Sequence, residues 1–378
     1  MKNAEMKRIS ALLSRAQRPG EIFGKLAGTQ DQKLETARRV YRQIAKVLHP
    51  DLYTESADIE KASSAFKKLV RLWLLAQKQI EDGTYGRAAN EDSFAPFDLR
   101  GQKGLYRANR LLAHGDYCAL YISTAQDGPK TRSILKIPSS PRDNDLAANE
   151  TRILKHLSDS KDYEQFRHFI SQPVEALTYQ EEASGAVRQI NVLAYTSGLY
   201  SLKEVREVYP HGIDPKDMAW IWRRLLVALG FAHAHGVIHG AVLPTHILLH
   251  PSQHGVVLID WSYAVLKPAI TGERIRAISG GYRDWYPAEV FARERPMPGL
   301  DFAMAARCMI ELLGGNPQIG SLAEHIPWQL QHYLKGCTLP KAEQRPQAAH
   351  LLLTEFDALI ERLWGPRQFH TFVMPECQ

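Results

Sequence analysis

Two stretches of this chain gather side chains that could do chemistry. In YRQIAKVLHPDLY the tripeptide His49-Pro50-Asp51 follows a run of cations, Arg38, Arg39, Arg42 and Lys46. Pro50 fixes its own backbone angle and donates no hydrogen bond, so a helix stops before it and the side chains of His49 and Asp51 are presented outward. A carboxylate held that way suits an arginine on another molecule. Arg38, Arg42 and Lys46 recur every fourth residue, which aligns them on one helical face with Arg39 beside them, a positive stripe that can steer an acidic partner. The chemistry is docking. The second stretch holds His233, His235, His239 and His246. Its first three imidazoles crowd the end of one helix and make a poor zinc site. Cys118, Cys308, Cys337 and Cys377 have neither zinc-ligand spacing nor the density of a disulfide scaffold. They read as buried free thiols in a reducing, cytoplasmic compartment.

The elements that must position these residues are legible from periodicity. Apolar residues recur at 34, 37, 41, 44 and 48, then at 59, 62, 66, 69, 73, 76 and 80. Both sets predict amphipathic helices whose stripes bury one another as an antiparallel pair, with the tripeptide in the loop between them. An earlier short helix around 21–28 is expected to cover one end. Periodicity then lapses, and 87–102 reads as a linker. Beyond it the pattern turns to strands at 118–123, 133–138 and 190–195, with a helix at 143–157 between the last two. From 217 onward the chain is mostly helical, at 217–236, 301–315 and 348–364, with a short strand at 256–260. Residues 1–90 hold 17 Lys and Arg against 10 Asp and Glu, so they carry net +7 of a chain whose total is +6. The remainder is close to neutral, which implies two functional units, the first suited to an acidic surface. At 378 residues and 44% hydrophobic composition the chain can bury a sizeable core. It contains no apolar run of the ~18–20 residues a membrane span requires.

The tripeptide, the basic helix with Tyr41-Arg42 before it and the helix with AFKKLVRLW after it together resemble the J-domain of DnaJ-type co-chaperones, over roughly residues 20–86. The resemblance implies a DnaK-type heat-shock chaperone as partner, its ATP hydrolysis stimulated when the loop docks. His49, Pro50, Asp51, Arg38, Arg39, Arg42 and Lys46 would then form the chaperone-binding set. Residues 1–20 precede the usual start of such a domain, so 1–86 reads as a J-domain with an N-terminal extension. No glycine/phenylalanine-rich stretch or cysteine-rich zinc module follows, and client specificity falls to the second domain.

A small sheet with one helix, followed by a helical lobe, resembles a bilobal protein kinase over 103–363, and ordered motif remnants agree. Lys136 in SILKIP stands where the resemblance puts the phosphate-holding lysine, with Glu150 in a following helix suited to pair with it. Asp260-Trp261-Ser262 stands for the metal-binding DFG segment, Pro287-Ala288-Glu289 for APE, and Arg345 for the arginine that pairs with Glu289. Asp301 opens a large-lobe helix. In HGAVLPTHILL the scaffold histidine survives as His239, but Ala241 replaces the aspartate that accepts the substrate proton. Leu243 replaces the catalytic lysine, and His246 the asparagine that holds magnesium. An imidazole is a poor ligand for a hard cation. Of the phosphate-covering glycines only Gly115 remains, with Ala113 and Cys118 at the others. Gly115, Lys136, Glu150 and Asp260 could still hold ATP, with one magnesium ion on Asp260. Equally, Lys136 and Glu150 could be a lobe-bridging ion pair and Asp260 a hydrogen-bonded strand end.

The expectation is therefore an α+β protein made of an all-α J-domain and a pseudokinase, joined by the linker and followed by a tail at 364–378. The chain would be a co-chaperone rather than an enzyme, its second domain recognising a client or sensing a nucleotide. The enzymatic alternative is a divergent ATP-dependent phosphotransferase or nucleotidyl transferase using Lys136 and Asp260. Nucleic acid is a poor fit as partner, since the second domain has no basic excess, and no membrane is expected to take part.

Overall fold

The two N-terminal apolar stripes close on one another in the computed structural model, which describes residues 2–16, 19–48, 52–53, 55–81, 85, 94–181, 185–369 and 371–374. The chain divides into two compact units, Met1–Ser93 and Phe94–Gln378. In the first are α1 (Lys2–Arg15), α2 (Gly20–Phe23), α3 (Gln30–Leu48) and α4 (Ser56–Glu81). Helices α3 and α4 run antiparallel, because the Gln30 amide at the start of α3 donates to the carbonyls of Ile80 at 3.2 Å and Glu81 at 2.9 Å, at the end of α4. Ala37 and Leu48 are buried against Ala62, Leu69, Trp73, Ala76 and Ile80, and Tyr41 stacks on Trp73 at 5.3 Å. The helix expected at 21–28 is the shorter α2, ended by Gly24 at a positive φ of 70°, which glycine adopts without a Cβ clash. Helix α1 was not anticipated, although Met6, Ile9 and Leu13 follow helical spacing and are buried in the same core. His49-Pro50-Asp51 lies outside the described residues.

The second unit opens on a six-stranded antiparallel sheet in the order β1-β2-β3-β4-β6-β5. Its strands are β1 (Phe97–Arg100), β2 (Leu105–His114), β3 (Cys118–Ala125), β4 (Arg132–Pro138), β5 (Pro173–Gln180) and β6 (Val187–Ala194). Helix α5 (Asn144–Ser158) connects β4 towards β5 through the short α6 (Tyr163–Phe166) and packs on β6. Three strands were legible; β1, β2 and β5 were not. The stretch read as linker at 87–102 therefore runs too far, and the second domain begins before 103: residues 97–100 pair with 105–108 across a turn in which the Gly101 amide donates to Gly104 O at 2.9 Å. The outer strands hid because their faces are mostly wet; in β2 only Tyr106 and Ala108 are buried.

The remainder comprises β7 (Tyr200–Ser201), α7 (Leu202–Val208), α8 (Pro215–Ala234), β8 (Val237–Ile238), β9 (Ile247–His250), β10 (Gly255–Leu258), β11 (Val265–Leu266), α9 (Pro268–Thr271), α10 (Ala288–Phe291), α11 (Pro298–Leu312), α12 (Trp328–Cys337) and α13 (Ala349–Trp364). Helix α8 starts sharply because the Asp214 carboxylate caps it, accepting from the Lys216 amide at 2.7 Å, with Pro215 at the first helical position. Trp222 of α8, Phe302 of α11 and Phe356 of α13 are fully buried in one core that also takes in the 239–249 loop and α5. Past α13, aromatic side chains of the described residues return to the body of the unit. Phe372 is buried beside Tyr209 and Trp220, and the rings of Trp220, His254 and Phe369 stack in succession with 4.3 Å between centroids. Helix and antiparallel sheet together make this an α+β protein. No helix among the described residues is long and apolar enough to cross a membrane.

Candidate functional site

Successive side chains of a strand point to opposite faces. Leu135 of β4 accordingly joins a small apolar cluster on one face of the sheet, while Lys136 turns to the other and meets α5. Its ammonium is 4% exposed and finds three acceptors: Glu150 Oε1 at 3.0 Å, Asp260 Oδ1 at 2.7 Å and Ser262 Oγ at 3.0 Å. A buried charge left without such partners would cost several kcal/mol. Burial alone would lower the Lys136 pKa, but the two carboxylates outweigh it and hold the amine well above its ordinary value. Glu150 is fixed from three sides. Its Oε1 also accepts from the Trp261 amide at 3.1 Å, and its Oε2 from Asn191 Nδ2 at 3.0 Å, Asn191 being the β6 residue opposite Lys136.

Asp260 sits at φ 63° and ψ 69°, a left-handed backbone that few non-glycine residues adopt. Its Oδ1 accepts from Lys136 and from Ser262 Oγ at 2.7 Å, and its Oδ2 faces His246 Nε2 at 3.2 Å. Burial would raise this carboxyl, but Lys136 and His246 hold it well below the usual carboxylate range. Asn149 ties the segment to α5, donating to the carbonyls of Ser262 and Ala264, both at 2.9 Å.

Below this cluster the 239–249 loop is held rigidly. The Asp301 carboxylate is fully buried and accepts from the amides of His239 and Gly240 and from His233 Nε2, all at 2.8 Å. Gly240 adopts φ 74°, and a Cβ there would meet Ile275 Cδ1 at 2.5 Å. His239 Nε2 faces the Ile259 carbonyl at 3.0 Å while its Nδ1 accepts from the Ala241 amide at 3.3 Å, a pattern that a neutral ring satisfies. Burial lowers its pKa to about 4. Ala241 and Leu243 are fully buried in the core, so neither position offers a proton acceptor or a cation. Glu289 and Arg345 form a buried bidentate pair, with Arg345 Nη2 to Glu289 Oε2 at 3.2 Å.

The chain's own residues thus unite Lys136, Glu150, Asp260 and His246, and separately His239 with Asp301 and Glu289 with Arg345. Gly115 departs from its expected part. Its amide is spent on Cys118 O at 2.7 Å, closing a tight turn, and is therefore not free for a phosphate. From the same turn Tyr117 folds inward, its hydroxyl bonded to Ser262 and its ring 5.1 Å from the Lys136 ammonium. Sequence reasoning missed Tyr117, Asn149 and Asn191, and placed Ser262 only as the last residue of the 260–262 segment. Local pattern carries no signal for the contacts of Tyr117 with Ser262, Asn149 with Ser262 and Ala264, and Asn191 with Glu150, which join residues 41 to 145 positions apart.

Magnesium fits this set poorly. Asp260 Oδ1 already accepts two hydrogen bonds, and the neighbouring position holds an imidazole where an oxygen ligand is needed. Among the described residues no group of three or more His, Cys, Asp or Glu is arranged to hold a metal ion. The other histidines are engaged elsewhere, His233 with Asp301 and His235 with Asp162 at 2.8 Å.

In the first unit Arg39, Arg42 and Lys46 are exposed along α3, and Arg38 is half-buried and paired with Glu35 at 3.3 Å. The stripe is real as a surface, although the tripeptide it leads to is beyond the described residues.

No protein-family model matches the chain. A stretch of 61 residues is 33% identical to casein kinase II subunit alpha' of Saccharomyces cerevisiae. The match covers 16% of this chain and 18% of that protein, less than a fifth of either. The likeness to a protein kinase is weak and partial, and it makes a kinase-like arrangement of this chain plausible.

Proposed function

We propose that this chain is a non-catalytic co-chaperone. Its first unit, of J-domain type, recruits a DnaK-type chaperone through His49-Pro50-Asp51 and the α3 cations and stimulates its ATP hydrolysis. Its second unit, a two-lobed kinase-like module, recognises a client or partner protein and takes ATP at Lys136. The observation that carries the non-catalytic part is Ala241: a loop held in place by Asp301 presents a buried methyl group where phosphoryl transfer needs a carboxylate. Loss of a general base costs roughly 10²–10⁴-fold in rate. The exposed cations of α3, on a helix whose other face is spent on α4, support the docking part.

The test mixes the full chain with a DnaK-type chaperone and ATP. Hydrolysis rises, and Asp51→Asn abolishes the rise; stimulation that survives Asp51→Asn removes the co-chaperone assignment. Label from radioactive ATP should reach neither the chain nor proteins of a cell extract. Transfer that disappears in Lys136→Ala would establish the phosphotransferase or nucleotidyl transferase reading instead.

A further inference from the structure

The segment 283–295 carries three arginines whose charge the second unit leaves unmatched. Arg283, Arg293 and Arg295 are exposed, and among the described residues none of them enters an ion pair. Arg283 lies over the ring of Phe291, its guanidinium carbon 4.8 Å from the centroid, and that ring is itself 44% exposed. Helix α10 ends in a motif whose left-handed position usually goes to glycine: the Arg293 amide donates to Val290 O at 3.1 Å and the Glu294 amide to Glu289 O at 2.9 Å. That position is Arg293, at φ 55°, with its carbonyl pinned by Arg274 Nε at 3.1 Å. A long cationic side chain kept where glycine would relieve the backbone points to a task for that side chain.

Arg307 of α11 adds a fourth guanidinium. It is half-buried and donates through Nη1 to the Trp285 carbonyl, in the short turn Gly280–Trp285 that also carries Arg283. Its Nε is buried and meets no acceptor. Glu289 cannot balance it, because that carboxylate is committed to Arg345, and burial together with the Arg345 charge lowers the Arg307 pKa. Glu273 is likewise taken, by Arg152 and Arg276, which leaves Asp284 and Glu294 as the exposed acids of the segment. The local balance is therefore positive within a unit that is close to neutral. We propose that the face formed by Arg283, Arg293 and Arg295 around α10, with Arg307 beside the Trp285 carbonyl, receives a short carboxylate-rich segment of a partner protein. A guanidinium meets a carboxylate through two parallel hydrogen bonds, so a few acidic side chains suffice. Nucleic acid fits less well, since a long polyanion would run on to a near-neutral surface and past Asp284 and Glu294. The inference uses the charges of the second unit alone, and it holds whether or not the chain stimulates a chaperone.

Fluorescence anisotropy of a labelled oligoglutamate peptide tests this on the full chain. The α3 cations attract the same probe, so the parent protein carries Arg39→Ala and Arg42→Ala. Arg283→Ala, Arg293→Gly and Arg295→Ala combined should weaken binding about 10-fold, each exposed ion pair being worth at most about fivefold. Arg307→Met should weaken it as well. Stability separates docking from a merely structural role. Relieved of backbone strain and of an unmatched charge, Arg293→Gly and Arg307→Met should unfold at the parent's temperature or above it while binding less. Lower unfolding temperatures in both, or an affinity that the triple substitution leaves unchanged, overturns the proposal. So does an oligonucleotide of equal charge that binds as tightly as the peptide. Hydrogen exchange on the unsubstituted chain decides the matter even if a variant does not fold: the peptide should protect amides of 283–295, and protection confined to α3 overturns the site.

Discussion

At the scale of single residues the second unit depends on charges that have left water. Arg345 is 4% exposed, and its guanidinium is bound by Glu289 and by the carbonyls of Leu339 and Pro340. Removing one member strands the other, so Glu289→Ala should lower stability by about 3–5 kcal/mol. A urea-denaturation midpoint close to that of wild type would contradict this. His239 makes a second case, with the sign worked out from its surroundings. Its folded value is lowered to about 4 by burial, against 6.5 for a free imidazole. Between those values the unfolded chain takes up a proton that the folded chain refuses, so stability is intact above pH 6.5 and falls as the pH drops towards 4. The fall amounts to roughly 3 kcal/mol for this ring. Imidazole resonances of His239 that stay in place from pH 7 to 5 would agree; a midpoint near 6.5 would not.

At the scale of elements the β2–β3 turn and helix α3 matter most. The turn tightens on Gly115 and sends Tyr117 inward, where its hydroxyl meets Ser262 and its ring lies against Lys136; under the proposed function a phosphate would compete with it there. Tyr117→Ala should therefore raise ATP affinity, read as a larger shift in unfolding temperature at equal ATP. An unchanged or smaller shift would mean that Tyr117 helps to hold the ligand. On α3, Arg42→Ala should weaken stimulation of the chaperone more at low salt than at high, because screening already suppresses the attraction of exposed charges. The stripes of α3 and α4 were plain in the sequence, since every third or fourth residue is apolar. So was the alternation of Leu135 and Lys136 in β4. Strand β2 was not, because a wet strand need not alternate. Helix α1 was not, because its apolar residues Met6, Ile9 and Leu13 are few and interleaved with Lys7 and Arg8. The site was half legible: Lys136, Glu150 and Asp260 follow a known order, while Tyr117 and Ser262 meet only through folding.

At the scale of the whole molecule the chain is two units, each with its own apolar core, the second adding a smaller cluster on its sheet. A ligand stabilises the unit that binds it, by ~2.7 kcal/mol at 100 times its dissociation constant. ATP should then delay only the unfolding of the second unit, followed through native-state hydrogen exchange, while amides of α3 and α4 exchange as before. Protection gained in the first unit would place the nucleotide there instead. The net charge is distributed in the same way, basic over the first ninety residues and near neutral beyond, so partners of opposite sign are drawn to one part of the molecule.

The ring stack beyond α13 sets a practical limit on engineering. Anyone trimming the gene at the last helical codon, or fusing a fluorescent reporter directly to Trp364, would peel Phe369 from His254 and pull Phe372 from its seat against Tyr209 and Trp220. The aromatic surface laid bare would favour clumping, and losing the Phe372 burial alone would cost about 1.5–3 kcal/mol. Expression vectors should carry the reading frame past Met374 before any tag begins.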